Sequence, residues 1–306
     1  MDMQRITPHL WYDTEAREAS EFYCSVFPDS QVTNVTTLHD TPSGDCDVVS
    51  FRLWGQDFMA ISAGPVFRFN PSVSFMVNFG PPHVSETEAR ERIDVAWDRL
   101  SEGGTVLMAL DKYPFSDRYG WIQDCYGLSW QLMLTGPDGD PRPPILPSLM
   151  FVGDRDGHAA EAIDFYRSVF ADSEPGTLAR YPQGAESDRE GKVMFADFRI
   201  LDRWLAAMDG GHDHDFTFNE AVSFMVGCED QAELDGYWEK LSAVPEAEQC
   251  GWLKDRFGVS WQVRAKDLDA MMRDGTREQI DRVTQAFLPM KKLDLAVIRR
   301  AYEGTD

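Results

Sequence analysis

The chain has 306 residues, 52 of them acidic and 29 basic, for a formal net charge of −23. That balance argues against nucleic acid and anionic membrane surfaces as partners, because both attract basic patches. The length suits two domains, and no apolar run approaches the ~20 residues that a membrane span needs.

Five cysteines, Cys24, Cys46, Cys125, Cys228 and Cys250, are scattered and show no CxxC spacing. Reduced thiols in a cytoplasmic protein are the expectation. Met1–Thr7 has no apolar core, so no signal peptide is expected there.

In chain order, Ile6–Tyr12 predicts a strand and Glu15–Phe27 a helix with Ala16, Ala19, Phe22, Tyr23 and Val26 along one face. Pro28-Asp29 ends the helix. Gln31–Leu38, Cys46–Trp54 and Asp57–Ala63 predict three strands, which completes a βαβββ order. The order then repeats. Val73–Phe79 is a strand, Glu86–Leu100 a helix behind a Ser85–Glu88 capping box, and Thr105–Leu110 a strand. The hairpin GWIQDCYGLSWQL (Gly120–Leu132) closes the second module.

A Gly- and Pro-rich linker, 136–144, follows. The plan then restarts. ILPSLMF (Ile145–Phe151) echoes ITPHLWY (Ile6–Tyr12), FYRSVFADS (Phe165–Ser173) echoes FYCSVFPDS (Phe22–Ser30), and FNEAVSFMV (Phe218–Val226) echoes FNPSVSFMV (Phe69–Val77). GWLKDRFGVSWQV (Gly251–Val263) repeats the hairpin with seven of thirteen positions identical. About ten residues before it are missing from the second copy. The expectation is an α+β fold of four βαβββ modules in two tandem domains, 1–135 and 145–265, with a helical extension over 266–306. In that tail Thr276–Phe287 is helical, and Asp294 caps a last helix closed by Gly304.

These stretches resemble the vicinal oxygen chelate superfamily, the glyoxalase and bleomycin-resistance fold. They are most similar to its PhnB-like branch, often labelled 3-demethylubiquinone-9 3-methyltransferase. The strongest matches are Phe218–Val226, Gln249–Val263 and LPMKKLDLAVIRRAYEG (Leu288–Gly304). The resemblance implies paired modules curled into a half-barrel around a ligand cavity. It does not fix a reaction, because one fold hosts many functions.

Metal-using relatives carry His, Gln or Glu on facing strands, with a carboxylate four residues after the turn glycine. Here those positions are Gln131 and Gln262. An amide brings no charge to a divalent ion. On the first strand the equivalent positions are Pro8 and Pro147, which have no ligand atom; a register one residue off would bring in His9, with Ser148 in the second copy. Ser72 and Ala221 stand at a further position. The expectation is therefore no cofactor, with a divalent metal as the alternative. GGHDHDF (Gly210–Phe216) clusters His and Asp but reads as a solvated acidic loop.

The strand alternation places Gln131 with Ser129, and Gln262 with Ser260, on one face, and the adjacent tryptophans on the other. Candidate ligand-binding residues are Asn70, Trp121 and Gln131 in the first half, and Phe218, Asn219, Cys250, Trp252, Lys254 and Gln262 in the second. Tyr12, Phe58, Phe69, Phe151, Ser129 and Ser260 join them as possible lining. Cys250 beside Lys254 reads either as a low-pKa thiol or as a small buried residue. The second half is the one expected to be active.

The leading reading is a metal-independent small-molecule-binding protein with an apolar or aromatic ligand. The alternative is a metal-assisted lyase, isomerase or dioxygenase, and a third reading is a duplicated scaffold acting through partners. Literal methyl transfer is disfavoured, because no Gly-rich strand-to-helix turn is present and the βαβββ order is not the doubly wound sheet of common methyltransferases. A monomer or homodimer suits the fused halves.

Overall fold

The structure, a computed structural model, describes residues 4–136, 141–185, 188–211 and 213–305. Part of the expected linker, 137–140, lies outside the described residues, as does His212.

Four modules follow one another along the chain. The first is β1 (Ile6–Tyr12), α1 (Ala16–Val26), β2 (Gln31–Thr41), β3 (Gly44–Leu53) and β4 (Gln56–Ser62). The second is β5 (Val73–Phe79), α2 (Glu86–Ser101), β6 (Thr105–Tyr113), β7 (Ser116–Gln123) and β8 (Ser129–Leu134). The third is β9 (Ile145–Val152), α3 (Ala159–Val169), β10 (Ser173–Arg180), β11 (Val193–Ile200) and β12 (Arg203–Gly211). The fourth is shortened to β13 (Val222–Cys228), α4 (Gln231–Leu241), β14 (Trp252–Lys254) and β15 (Ser260–Ala265). The tail forms α5 (Lys266–Asp274), α6 (Arg277–Phe287) and α7 (Leu295–Glu303).

The module order along the chain is not the order in the sheets. The first sheet runs β14-β15-β13-β1-β4-β3-β2 and joins the fourth module to the first. The second runs β10-β11-β12-β9-β5-β8-β7-β6 and joins the third to the second. The junctions are antiparallel and equivalent: His9 faces Ser223 across β1 and β13, and Ser148 faces Ser74 across β9 and β5. Each sheet therefore takes one module from each half of the sequence.

One apolar core lies between the sheets and takes side chains from both of them and from α1 to α4. Its centre is aromatic, with Phe51 on Phe58 (5.5 Å between centroids), Phe58 on Phe75 (5.1 Å) and Phe75 on Trp130 (5.5 Å). The repeated hairpin supplies a buried carboxylate to each half. Asp124 accepts from Tyr23 Oη (2.8 Å), Trp130 Nε1 (2.9 Å) and the N–H groups of Tyr126 and Leu128. Asp255 does the same with Tyr166, Trp261, Phe257 and Val259. Both carboxylates are fully partnered, as buried polar groups must be. The conserved spelling of the two hairpins is thus largely a packing requirement, and it turns Trp130 and Trp261 inward.

The tail closes only one sheet. Its helices lie on the outer face of the first sheet, where Met272, Ile280 and Phe287 pack on Leu38, Cys46 and Ala63. Its loop also replaces the strand missing from the fourth module: Cys250 N–H donates to Met290 O (2.7 Å) and Gly251 N–H to Lys291 O (2.8 Å). The helix signals hold. Thr276 and Gln279 form a full capping box, Asp294 caps α7, and Gly304 ends it with a φ of +71°. At Ser85 only half of the expected box forms: Ser85 caps the Glu88 N–H, and the Glu88 carboxylate turns to Arg92.

Candidate functional site

A cavity of about 430 Å³ lies on the outer face of the first sheet, beneath the tail. Its wall is a run of rings in edge-to-face contact. Trp11 meets Phe67 at 5.1 Å and Trp252 at 6.0 Å, and Trp252 meets His9 at 5.5 Å. Phe287 and Leu288 from the tail, and Cys46, Val48 and Ile61 from β3 and β4, complete the apolar part. A smaller cavity of about 270 Å³ continues along the same face and shares Leu38, Val48, Arg264 and Phe287 with it.

Gln262 stands on this face and is 3% exposed. It sits between Met225 on β13 and Trp252 on β14, and its Nε2 donates to Ser223 Oγ (3.0 Å). Gln131 occupies the equivalent place in the second sheet, between Met76 and Trp121, and donates to Ser74 Oγ (2.8 Å). The two amides differ at the carbonyl oxygen. Gln131 Oε1 accepts from Tyr119 Oη at 2.7 Å. For Gln262, which lines the cavity, no group among the described residues donates to the corresponding oxygen. Cys250 is the sequence counterpart of Tyr119, but there the chain has left the sheet. Cys250 has a φ of +52°, and its thiol donates to Leu288 O.

The outer face of the second sheet is filled instead. Met76, Leu146 and Ala206 are buried together against Met133, Phe195 and Trp204. Strand register matches each position across the two faces. Where the first sheet has Trp11, Val48, Ile61 and Arg264, the second has Met150, Phe195, Met208 and Met133. Long, flexible side chains occupy the space that smaller or flatter ones leave open.

The two basic groups beside the cavity, Arg264 and Lys254, are paired. Arg264 meets Asp269 at 2.8 Å, and Lys254 meets Glu220 at 2.8 Å. Burial raises the Asp269 carboxyl while Arg264 opposes the shift. His9 is 3% exposed, and its Nδ1 has no partner among the described residues. Burial, helped by the Arg264 charge, lowers its pKa to about 3, so the ring is neutral at ordinary pH.

Several expectations are corrected. The first-strand residue facing this cavity is His9, since β1 turns Thr7, His9 and Trp11 outward and buries Pro8 opposite Phe224. Asn70 and Asn219 brace the two halves: Asn70 Nδ2 donates to Thr217 O (3.0 Å) and Asn219 Nδ2 to Arg68 O (2.8 Å). Each also caps the backbone two residues on. Phe218 packs on Phe151 in the core. Lys254 is engaged with Glu220 rather than with the Cys250 thiol, which burial pushes up to about 11. Trp121 and Gln131 belong to the filled sheet. Gln262, Trp252 and Cys250 do meet in one cavity, and the first half supplies its opposite wall. His214 Nε2 lies 3.1 Å from Gly210 O, away from this site.

The superfamily implies a divalent ion. On this face the strand neighbours of Gln262 and His9 are Ser223, Met225, Met59 and Ile61. One imidazole and one neutral amide, with no carboxylate among these strand neighbours, do not fit such an ion. Among the described residues there is no group of three His, Cys, Asp or Glu placed to hold one.

The family described as 3-demethylubiquinone-9 3-methyltransferase matches residues 4–133 and 143–264, one stretch for each half. The chain belongs to this family. The PhnB protein from Bacillus cereus is 34% identical over 43% of this chain and 100% of its own, with a TM-score of 0.38. Glyoxalase I from Zea mays is 11% identical, covers 89% of this chain and 98% of its own, and has a TM-score of 0.54, a likeness of fold alone. No curated protein matches. Among the described residues no helix is long and apolar enough to cross a membrane.

Proposed function

We propose that the chain is a metal-independent small-molecule-binding protein whose ligand, apolar or aromatic in body, occupies the cavity between the first and fourth modules. The observation that carries this reading is the difference between two otherwise equivalent faces: one is filled by methionine and aromatic side chains, and the other is left open over about 430 Å³. A pocket of this size, mostly apolar with a few convergent polar groups, suits one metabolite of modest size. Gln262 and the neutral His9 supply the polar groups, and Trp11 and Trp252 the flat wall. Methyl transfer, which the family's description names, gains no support from these residues: the sheets are mixed, without a doubly wound parallel order.

The test fills the cavity with the residues of its twin. Val48→Phe/Ile61→Met copies Phe195 and Met208 into the open face. Titration with naphthalene, read by quenching of tryptophan emission, should show saturable binding to the wild type and none to the folded double variant. Equal binding by both proteins would place the ligand elsewhere.

A further inference from the structure

The filled sheet holds a side chain in the position that a ligand would take in the open one. Tyr119 Oη donates to Gln131 Oε1 at 2.7 Å, and its ring lies between Phe115 (4.9 Å) and Tyr113 (5.5 Å). The phenol is buried at 4% exposure. The amide beneath it is oriented by Ser74 as Gln262 is by Ser223. In the open sheet the amide's own supports are present, while the phenol and the strand and turn that carry its neighbours Tyr113 and Phe115 have no counterpart. Gln262 keeps its strand neighbours, its serine and its burial, and its carbonyl oxygen has no donor among the described residues. An aromatic wall stands beside it in Trp252, Trp11 and Phe67.

We infer that the ligand of this cavity is a phenol, an aromatic ring bearing a free hydroxyl, and that Gln262 Oε1 accepts its O–H where Tyr119 serves Gln131. The inference rests on the binding reading above and adds the chemical class. Gln262 lines the cavity and its carbonyl oxygen has no donor among the described residues, so a ligand hydroxyl can take the place that Tyr119 takes on Gln131, whereas a group without a donor would displace solvent from that oxygen and give nothing back. A neutral hydroxyl also suits the surroundings, because Arg264 and Lys254 are already paired with carboxylates and His9 is uncharged. A carboxylate ligand would find Arg264 and Lys254 already ion-paired and would meet the acceptor oxygen of Gln262. An ether or a bare ring would leave that oxygen unsatisfied.

The test uses 2-naphthol, 2-methoxynaphthalene and naphthalene with the full chain, read by calorimetry. The wild type should bind 2-naphthol about fivefold or more tighter than either other probe, the value of one neutral hydrogen bond. Gln262→Leu should bind all three alike, and its retained binding of naphthalene doubles as the check on its fold. Equal affinities in the wild type, or a naphthol preference that survives in Gln262→Leu, would overturn the phenol assignment and leave the cavity reading in place. Failure of all three probes to bind the wild type would remove the cavity reading itself, and the phenol with it. If the variant does not fold, the wild-type ranking of naphthol against its methyl ether still decides.

Discussion

Gln262 and His9 are the two buried polar groups that give the cavity its chemistry, and each has a measurable signature. His9 titrates at about 3 in the fold against 6.5 ordinarily, because burial and Arg264 disfavour the imidazolium. Between those values the unfolded chain binds a proton that the folded chain does not. The His9 contribution to stability is therefore complete above about pH 6.5 and is lost as pH falls, by about 1.4 kcal/mol per pH unit. His9→Gln should remove that part of the slope. Denaturant melts from pH 7 to pH 5 should show the wild type losing stability faster than the variant, and parallel slopes would mean that His9 titrates normally. The alternation Thr7, His9, Trp11 was open to reading in the sequence, but its register was not. Pairing a strand one residue off exchanges its faces, which is how Pro8 came to be expected where His9 stands. Asn70 and Asn219 misled for a different reason. Their repeated FN context marks a brace between halves, and a short amide near a turn serves the backbone as readily as a ligand.

At the scale of elements, the repeated hairpin does two separate things. Its Asp and Trp build the core, and its Gln faces outward. In the fourth module the hairpin is short because the tail takes over its edge. Gly251 is the hinge of that exchange. It has a φ of +86°, and a Cβ there would meet Leu293 and Val263 O at 3.2 Å. Gly251→Ala should destabilise the chain by about 1–3 kcal/mol through strain at that φ and crowding against the tail. Chemical denaturation would check this, and an unchanged midpoint would show that the tail does not depend on the hairpin. The βαβββ order, the capping signals of α6 and α7 and the residues lost from the last module were all legible, because each is a local pattern. The tail's place over one sheet was not, since nothing local in 266–306 states which face it covers.

For the molecule as a whole, the consequential feature is the exchange of modules. The sequence reads as two halves in tandem, yet the sheets pair first with fourth and second with third. Such pairing is non-local and leaves no periodic trace in a single chain. It explains why neither half alone holds the candidate site: Gln262, Trp252 and Cys250 come from one half, and His9, Trp11 and Cys46 from the other. Duplication then allowed divergence. One sheet filled its outer face with Met76, Met133 and Trp204, and the other kept an opening and gained a roof. The differences His9 for Ser148, Trp11 for Met150 and Arg264 for Met133 were visible on aligning the halves, and they carry the asymmetry.

That asymmetry is the central claim, and a crystal structure of the chain soaked with 6-bromo-2-naphthol would test it most directly, with anomalous scattering from bromine locating the ligand. The account predicts one bound molecule per chain, its hydroxyl on Gln262 beneath the tail, and no bromine beside Gln131. A molecule beside Gln131, or one in each sheet at equal occupancy, would contradict it.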